Sequence, residues 1–420
     1  MLYTKDQFIQ QFRLDHTIGF DDFCGRLAVL NGSDRSGQFV VRASLDDFLA
    51  RWATRDDRLS RLDLYRRQLY NMLVQEPEKA LGQWFDQMVA LDHPLEYYFD
   101  IPKADIFDGT TFSGRTNAKY GRVCKNLNFQ SFYNTRKLYA NDFEYTFGLM
   151  RAMFEDFKLR NSLVGPAFFD HICQISNSDY KQFWADFMMG CNRASVFNPA
   201  TYRGILDQLF QGHTLFAPVM GWNAYQLGFY SSSFQHFVAT DVIPDVVQNG
   251  HMLHQRYQQY AGGNQFFESN DGHKTVDLYL CPSEQLDRRH QFVQRYRDQV
   301  DAVLFSPPYF DLEIYDSADQ SLTSFPDYDQ WLVGYWEETV KLCQAVMRPG
   351  ARFGFVISNY KNAQKQMTTI SEHMRDRAQQ HLRLLGHYRV QWSAMGGSRQ
   401  AKKTRDGNFE DLWLFEKPST

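Results

Sequence analysis

From residue 195 onward the chain alternates short apolar runs with amphipathic segments, and few folds accept that alternation. HTLFAPVM, QHFVATDV, TVDLYLCP, DAVLFSPP and ARFGFVIS have strand length, and each ends in a turn or a polar residue. NAYQLGFYSS, IPDVVQNGHMLHQRYQQYA and DQWLVGYWEETVKLCQAVMRPG read as the intervening helices. FEDLWLFEK reads as a last strand. Such an order predicts an α/β fold, a mostly parallel sheet with helices on both faces. Ligands of open parallel sheets bind beyond the carboxyl ends of the strands, so the residues that close each run are the first candidates for chemistry.

Ahead of this region, residues 1–194 read as a mainly helical domain. The segments 59–91 and 141–161 space apolar residues by three and four. Between them, residues 100–126 carry Ser113, Gly114, Asn117 and Gly121 with few periodic apolar positions, and read as a long loop. The expected organisation is therefore 1–194 for target recognition or assembly, including self-association as a homo-oligomer, and 195–420 for chemistry. A chain of 420 residues is long enough for two cores.

Composition narrows the function classes. No apolar run reaches the roughly 20 residues that span a bilayer, and MLYTKDQFIQQFRLDHTIGF is too polar for a secretory signal, so the expectation is a cytoplasmic protein with no membrane partner. Cys24, Cys124, Cys173, Cys191, Cys281 and Cys343 form no CxxC pair and have no neighbouring His cluster, which predicts reduced, mostly buried thiols and no metal site. A net charge of −4 means that nucleic-acid binding would need a local basic face.

The sharpest local signal is Ser306-Pro307-Pro308-Tyr309, directly after the apolar run Val303-Leu304-Phe305. Consecutive prolines lack amide hydrogens and fix φ, so the segment is stiff and presents carbonyl oxygens. A Ser hydroxyl adds an acceptor and a Tyr adds a flat face. These groups suit an aromatic amine, whose lone pair is delocalised and whose two hydrogens need acceptors. Bonds to the Pro307 carbonyl and the Ser306 side chain would localise that pair for attack on a methyl group.

On these residues the sequence resembles the amino-methyltransferases of DNA, whose hallmark is Asp, Asn or Ser followed by Pro-Pro-Tyr or Pro-Pro-Phe after the fourth strand. The resemblance covers about residues 195–420 and implies a Rossmann-like class I methyltransferase sheet with S-adenosylmethionine as cofactor. It implies that Ser306, Pro307, Pro308 and Tyr309 form the catalytic segment, with Tyr309 stacking on the base. Leu215-Phe216-Ala217-Pro218-Val219-Met220-Gly221-Trp222-Asn223 resembles the first-strand signature Asp-Pro-Phe-x-Gly-x-Gly. Pro218 and Gly221 match, whereas Ala217 replaces the acidic residue and Asn223 the second Gly; Asn tolerates the left-handed backbone a Gly would adopt. Asp241 stands where the family places the carboxylate that binds the ribose hydroxyls, and would serve equally as a helix cap. Ser283 and Glu284, after Pro282, border the expected adenine position. Phe197 and Pro199 resemble the element over the methionine end. Downstream, Asp311, Glu313, Tyr315 and Gln320 form a polar loop, either a clamp over the base or a surface connection.

For DNA, Arg399, Lys402, Lys403 and Arg405 beside Gly396 and Gly397 form one cationic segment. Arg115, Lys119, Arg122, Lys125, Arg136 and Lys137, with Tyr120 and Tyr133 interleaved, form another. The resemblance implies transfer of a methyl group to an exocyclic nitrogen of a flipped base, N4 of cytosine favoured over N6 of adenine because Ser leads the motif. Two other readings stay open: base hypermodification with a different donor, favoured by Ala217 and Asn223, and a catalytically silent DNA-binding or assembly module.

Overall fold

The computed structural model describes residues 91–132 and 196–391 with short gaps, residues 409–419, and the backbone of the strand pairs at 28–33, 39–44 and 136–137. Two compact units emerge; one comprises residues 91–131, 195–395 and 400–420, and it holds the sheet. Residues 91–131 thus belong with the strand-rich region rather than with the rest of the amino-terminal half. In the other unit, Ala28–Ser33 and Phe39–Ser44 pair as an antiparallel hairpin, a feature that the helical reading did not anticipate. The segments that carried that reading, 59–90 and 141–161, lie outside the described residues.

The sheet is built from β1 (Thr111–Ser113), β2 (Thr214–Ala217), β3 (His236–Asp241), β4 (Thr275–Leu280), β5 (Val300–Phe305), β6 (Met347–Ile357), β7 (Arg383–Gln391) and β8 (Phe409–Glu416). Its order is β4-β3-β2-β5-β6-β8-β7-β1. The central strands β4, β3, β2, β5 and β6 are mutually parallel, and β8 runs antiparallel to both its neighbours. This is a Rossmann-like arrangement, a parallel core with one antiparallel strand inserted beyond β6. Strand order reverses between β2 and β5, so right-handed crossovers place the helices following β2 and β3 on one face and the helix between β5 and β6 on the other. At the reversal neighbouring loops diverge, and a crevice opens at the carboxyl ends of β2, β3 and β5.

Sequence chemistry explains the burial. Every residue of Val300–Phe305 and of Thr214–Ala217 is buried, as expected for strands covered on both faces. Among the elements that escaped the sequence reading are α1 (Ala118–Leu127) and β7. α1 occupies part of the expected loop. Tyr120, Val123 and Cys124 form its buried stripe, a short one hidden among Lys, Arg and Gly. Tyr120 therefore packs in the core against Tyr98, centroids 6.0 Å apart, instead of standing free for a nucleic-acid base. β7 alternates exposed and half-buried positions with charged residues between them, a pattern too polar to stand out.

α1 is tied to the crevice through a buried amide network. Asn128 donates through Nδ2 to the Trp222 carbonyl at 3.1 Å, to Asn223 Oδ1 at 2.9 Å and to the Cys124 carbonyl at 2.9 Å. Its Oδ1 accepts from Asn249 Nδ2 at 3.1 Å. Asn223 in turn donates to the Val246 carbonyl at 2.9 Å. Among the described residues no helix is long and apolar enough to cross a membrane, and no group of three or more His, Cys, Asp or Glu is placed to hold a metal ion. Cys124, Cys281 and Cys343 are buried and free.

Removing the Asn128 amide orphans several buried groups at once. Asn128→Ala should lower stability by about 2–3 kcal/mol, read as a lower urea midpoint with an unchanged slope. An unchanged midpoint would show that the network does not hold the turn.

Candidate active site

The crevice is a cavity open to solvent at the carboxyl ends of the parallel strands. Its wall brings together most residues singled out in the sequence: Phe197, Pro218, Gly221, Asp241, Ser283 and Glu284, together with all four residues of Ser306-Pro307-Pro308-Tyr309. Pro199 does not line it; it is the first residue of α2 (Pro199–Leu209), where its fixed φ suits a helix start behind the Asn198 cap. Ala217 is fully buried and also does not line the wall. Arg115, Arg399, Lys402, Lys403 and Arg405 lie outside the described residues, as do the side chains of Lys119 and Arg122.

The turn after β2 is unusual. Gly221, Trp222 and Asn223 have φ of 55°, 60° and 65°, three consecutive residues in the left-handed region. Asn223 adopts the conformation of a glycine, and its buried side chain recovers the cost through the amide network. At Gly221 a Cβ would lie 2.5 Å from the Tyr225 ring, so glycine is demanded by space as well as by φ. Tyr225, on α3 (Ala224–Tyr230), is buried and stacked on Tyr202 at 4.6 Å. Its hydroxyl accepts from the Ser306 amide at 2.9 Å. One side chain therefore touches both the β2 turn and the motif after β5.

Carboxylates dominate the polar wall. Asp241 closes β3; its oxygens accept from the Met220 amide at 3.0 Å and the Ile243 amide at 3.1 Å. Burial raises its pKa to about 6 against the pull of those amides. Glu284 follows β4. Both its oxygens are buried with no hydrogen-bond partner, and burial pushes its pKa up against weaker opposing effects from nearby Gln285 and Arg289. Glu313 accepts from the Tyr315 hydroxyl at 2.6 Å through Oε2. Glu410, at the start of β8, accepts from the Tyr309 hydroxyl at 3.2 Å, and the same hydroxyl meets Ser358 Oγ at 2.9 Å. Burial, then the Glu410 charge, pushes the Tyr309 pKa well above its ordinary value. No Lys, Arg or His is among the described residues lining the cavity.

Sequence reasoning missed Tyr225, Trp222, Tyr335 and Glu410 on this wall. Tyr335 sits in a π-helical turn (Leu332–Glu337) that runs into α4 (Glu338–Val346), a widening often found beside functional sites. The one available signal for Glu410 was an acidic residue in the inward register of the strand FEDLWLFE.

No protein-family description matches this chain, and no curated protein matches it by sequence. Solved structures resemble parts of this chain at a distance. TrmN from Thermus thermophilus is 12% identical with a TM-score of 0.33, over 53% of this chain and 49% of that one, so the match spans about half of TrmN. The 1,6-didemethyltoxoflavin-N1-methyltransferase of Burkholderia thailandensis is 14% identical, TM-score 0.30, over 53% and 78%. The N-methyltransferase NodS of Bradyrhizobium japonicum is 11% identical, TM-score 0.31, over 51% and 82%. Likenesses this distant carry no functional argument; that rests on the site itself.

Tyr225→Phe should keep the stacking while leaving the buried Ser306 amide without its acceptor. A loss of about 1–3 kcal/mol is expected, with hydrogen exchange at Ser306 about tenfold faster or more. Unaltered exchange at that amide would contradict the bridging role.

Proposed function

We propose that the protein is a methyltransferase that uses S-adenosylmethionine to methylate an exocyclic amino nitrogen of a flipped base in DNA, N4 of cytosine in preference to N6 of adenine. The observation that carries this reading is the placement of Ser306-Pro307-Pro308-Tyr309 at the end of β5, on the same cavity wall as Gly221, Asp241 and Glu284. Nothing in the fold demands two prolines and a tyrosine there, whereas amine recognition does.

The donor set suits the cofactor. Asp241 retains unused lone pairs on both oxygens for vicinal ribose hydroxyls, and Glu284 offers two buried oxygens that lack donors. The acidic wall also favours a positively charged ligand. When bound, the cofactor supplies an electrophilic methyl group. On the other side of the cavity, the Pro307 carbonyl and the Ser306 hydroxyl accept the two amine hydrogens and localise the nitrogen lone pair. Tyr309, its hydroxyl held by Ser358 and Glu410, presents a fixed ring to the base. The amino-terminal unit and the basic segments at 115–122 and 399–405 are assigned to DNA engagement or assembly on charge alone.

Calorimetric titration with S-adenosylmethionine should give micromolar binding that Asp241→Ala abolishes. Transfer of labelled methyl to mixed-sequence DNA, followed by nucleoside analysis, should yield N4-methylcytosine. Ser306→Ala should slow transfer by about 10–100-fold while leaving cofactor affinity intact. Absence of binding with and without DNA would overturn the reading and favour another donor or a silent module.

The raised Asp241 pKa sets a pH dependence. Without ligand the folded state favours the protonated carboxyl; this contribution to stability is complete below the unfolded pKa near 4 and lost as pH rises through about 6. Ribose hydroxyls donate best to the anion and lower that pKa. Cofactor affinity should therefore rise between pH 5 and 7, by about tenfold for each unit the pKa falls on binding, and then level off. Asp241→Asn should flatten the profile; a slope that survives the substitution would place the titrating group elsewhere.

A further inference from the structure

Methylation of an aromatic amine leaves a proton to dispose of, and the motif contains no group able to take it. A peptide carbonyl and a neutral hydroxyl are very weak bases, so Ser306 and Pro307 can polarise the amine but cannot hold its proton. Among the described residues lining the cavity, the groups with adequate basicity are carboxylates. Asp241 and Glu284 stand after β3 and β4, on the side assigned to the cofactor. Asp319, also on the wall, is exposed and paired with Arg289 at 3.1 Å. Glu313 and Glu410 remain, and both bear on the substrate side, since their charges contribute, after burial, to raising the Tyr309 pKa.

The two are alike in having one oxygen engaged by a tyrosine hydroxyl, and they differ in which tyrosine they hold. Glu410 has Oε1 engaged by the Tyr309 hydroxyl, which holds the motif ring in place. Glu313 is 5% exposed, follows the motif by four residues and lines the same cavity. Its Oε2 accepts from the Tyr315 hydroxyl, which orients the carboxylate, while its Oε1 is buried with no hydrogen-bond partner. An acceptor buried without a donor is costly and is found where a ligand supplies the missing hydrogen.

We propose that Glu313 is a catalytic residue that accepts the amine proton at Oε1. This rests on the amine-methylation reading above. The nitrogen lone pair forms the N–C bond as the methyl–sulfur bond breaks, its electron pair staying on sulfur; the nitrogen becomes positively charged and passes one N–H proton to Glu313 Oε1. Tyr315, donating to Oε2, steadies the carboxylate, and the proton leaves to water when product departs. The neutral methylamino group and the neutral thioether are the products, and no further reactant is needed.

The test compares wild type, Glu313→Gln, Glu313→Ala and Glu410→Ala in single-turnover methylation of DNA, after thermal melts confirm folding. Cofactor affinity of the Glu313 variants should match wild type in calorimetry, as should DNA affinity in the presence of S-adenosylhomocysteine, because Gln preserves shape and an acceptor. The chemical step should fall about 100-fold or more in both Glu313 variants. Added formate should restore Glu313→Ala in proportion to its concentration, leaving Glu313→Gln, which has no space for it, unaffected. Half or more of wild-type rate in Glu313→Gln, or formate rescue of Glu410→Ala and not of Glu313→Ala, would overturn the assignment while the methyltransferase reading stands. A wild-type protein that binds no cofactor and methylates no DNA would overturn that reading, and this inference with it.

Discussion

The contact on which the site depends is the hydrogen bond from the Ser306 amide to the Tyr225 hydroxyl. Strands β2 and β5 are neighbours, but the loops leaving them diverge, so nothing in the sheet itself fixes one loop against the other. Tyr225 does so from α3. Its hydroxyl anchors the first residue of the Pro-Pro-Tyr segment, and its ring fills the space that a Cβ at residue 221 would need. Both the glycine and the left-handed turn that follows can be understood from this ring: the chain must pass it closely and then enter the helix that carries it. The Asn128–Asn223 network braces the same turn from behind, which ties residues 91–131 into the sheet-bearing unit.

Much of this arrangement was legible in the sequence because it depends on local rules. The alternation of strand and helix runs from residue 195 gives the parallel core, and the residues that close β2, β3, β4 and β5 converge because open sheets of this kind put strand ends on one edge. What was not legible arises from contacts between distant segments. Tyr225 reads as an ordinary apolar position of NAYQLGFY, and its bond to Ser306 spans 81 positions. Glu410 reads as one polar residue in a terminal strand until β8, running antiparallel, carries it to the Tyr309 hydroxyl. α1 was overlooked because three apolar residues among Lys, Arg and Gly give a weak helical period, although those three are what anchor it.

The two departures from the first-strand signature that the sequence resembles have different physical meanings. Asn223 is compensated: it holds the left-handed backbone at φ 65° and gains two buried hydrogen bonds that a glycine could not make. Ala217 is a plain loss of an acidic side chain, at a position that does not reach the cavity wall. Negative charge is nevertheless abundant there. Asp241, Glu284, Glu313, Asp319 and Glu410 place five carboxylates around one crevice, and the net charge of the chain is −4.

That concentration of carboxylates constrains how a polyanion can approach. Phosphates are repelled from this acidic wall, so on the proposed reading attraction for DNA would have to come from surfaces outside the crevice. A base swung out of the stack carries no charge of its own and presents amine hydrogens, which carboxylate and carbonyl oxygens accept. The same field that excludes the backbone therefore favours a donor-rich base edge and a cationic methyl donor. On the proposed reading the two tasks separate: basic segments elsewhere in the chain would provide affinity, and the acidic crevice would decide which group reacts.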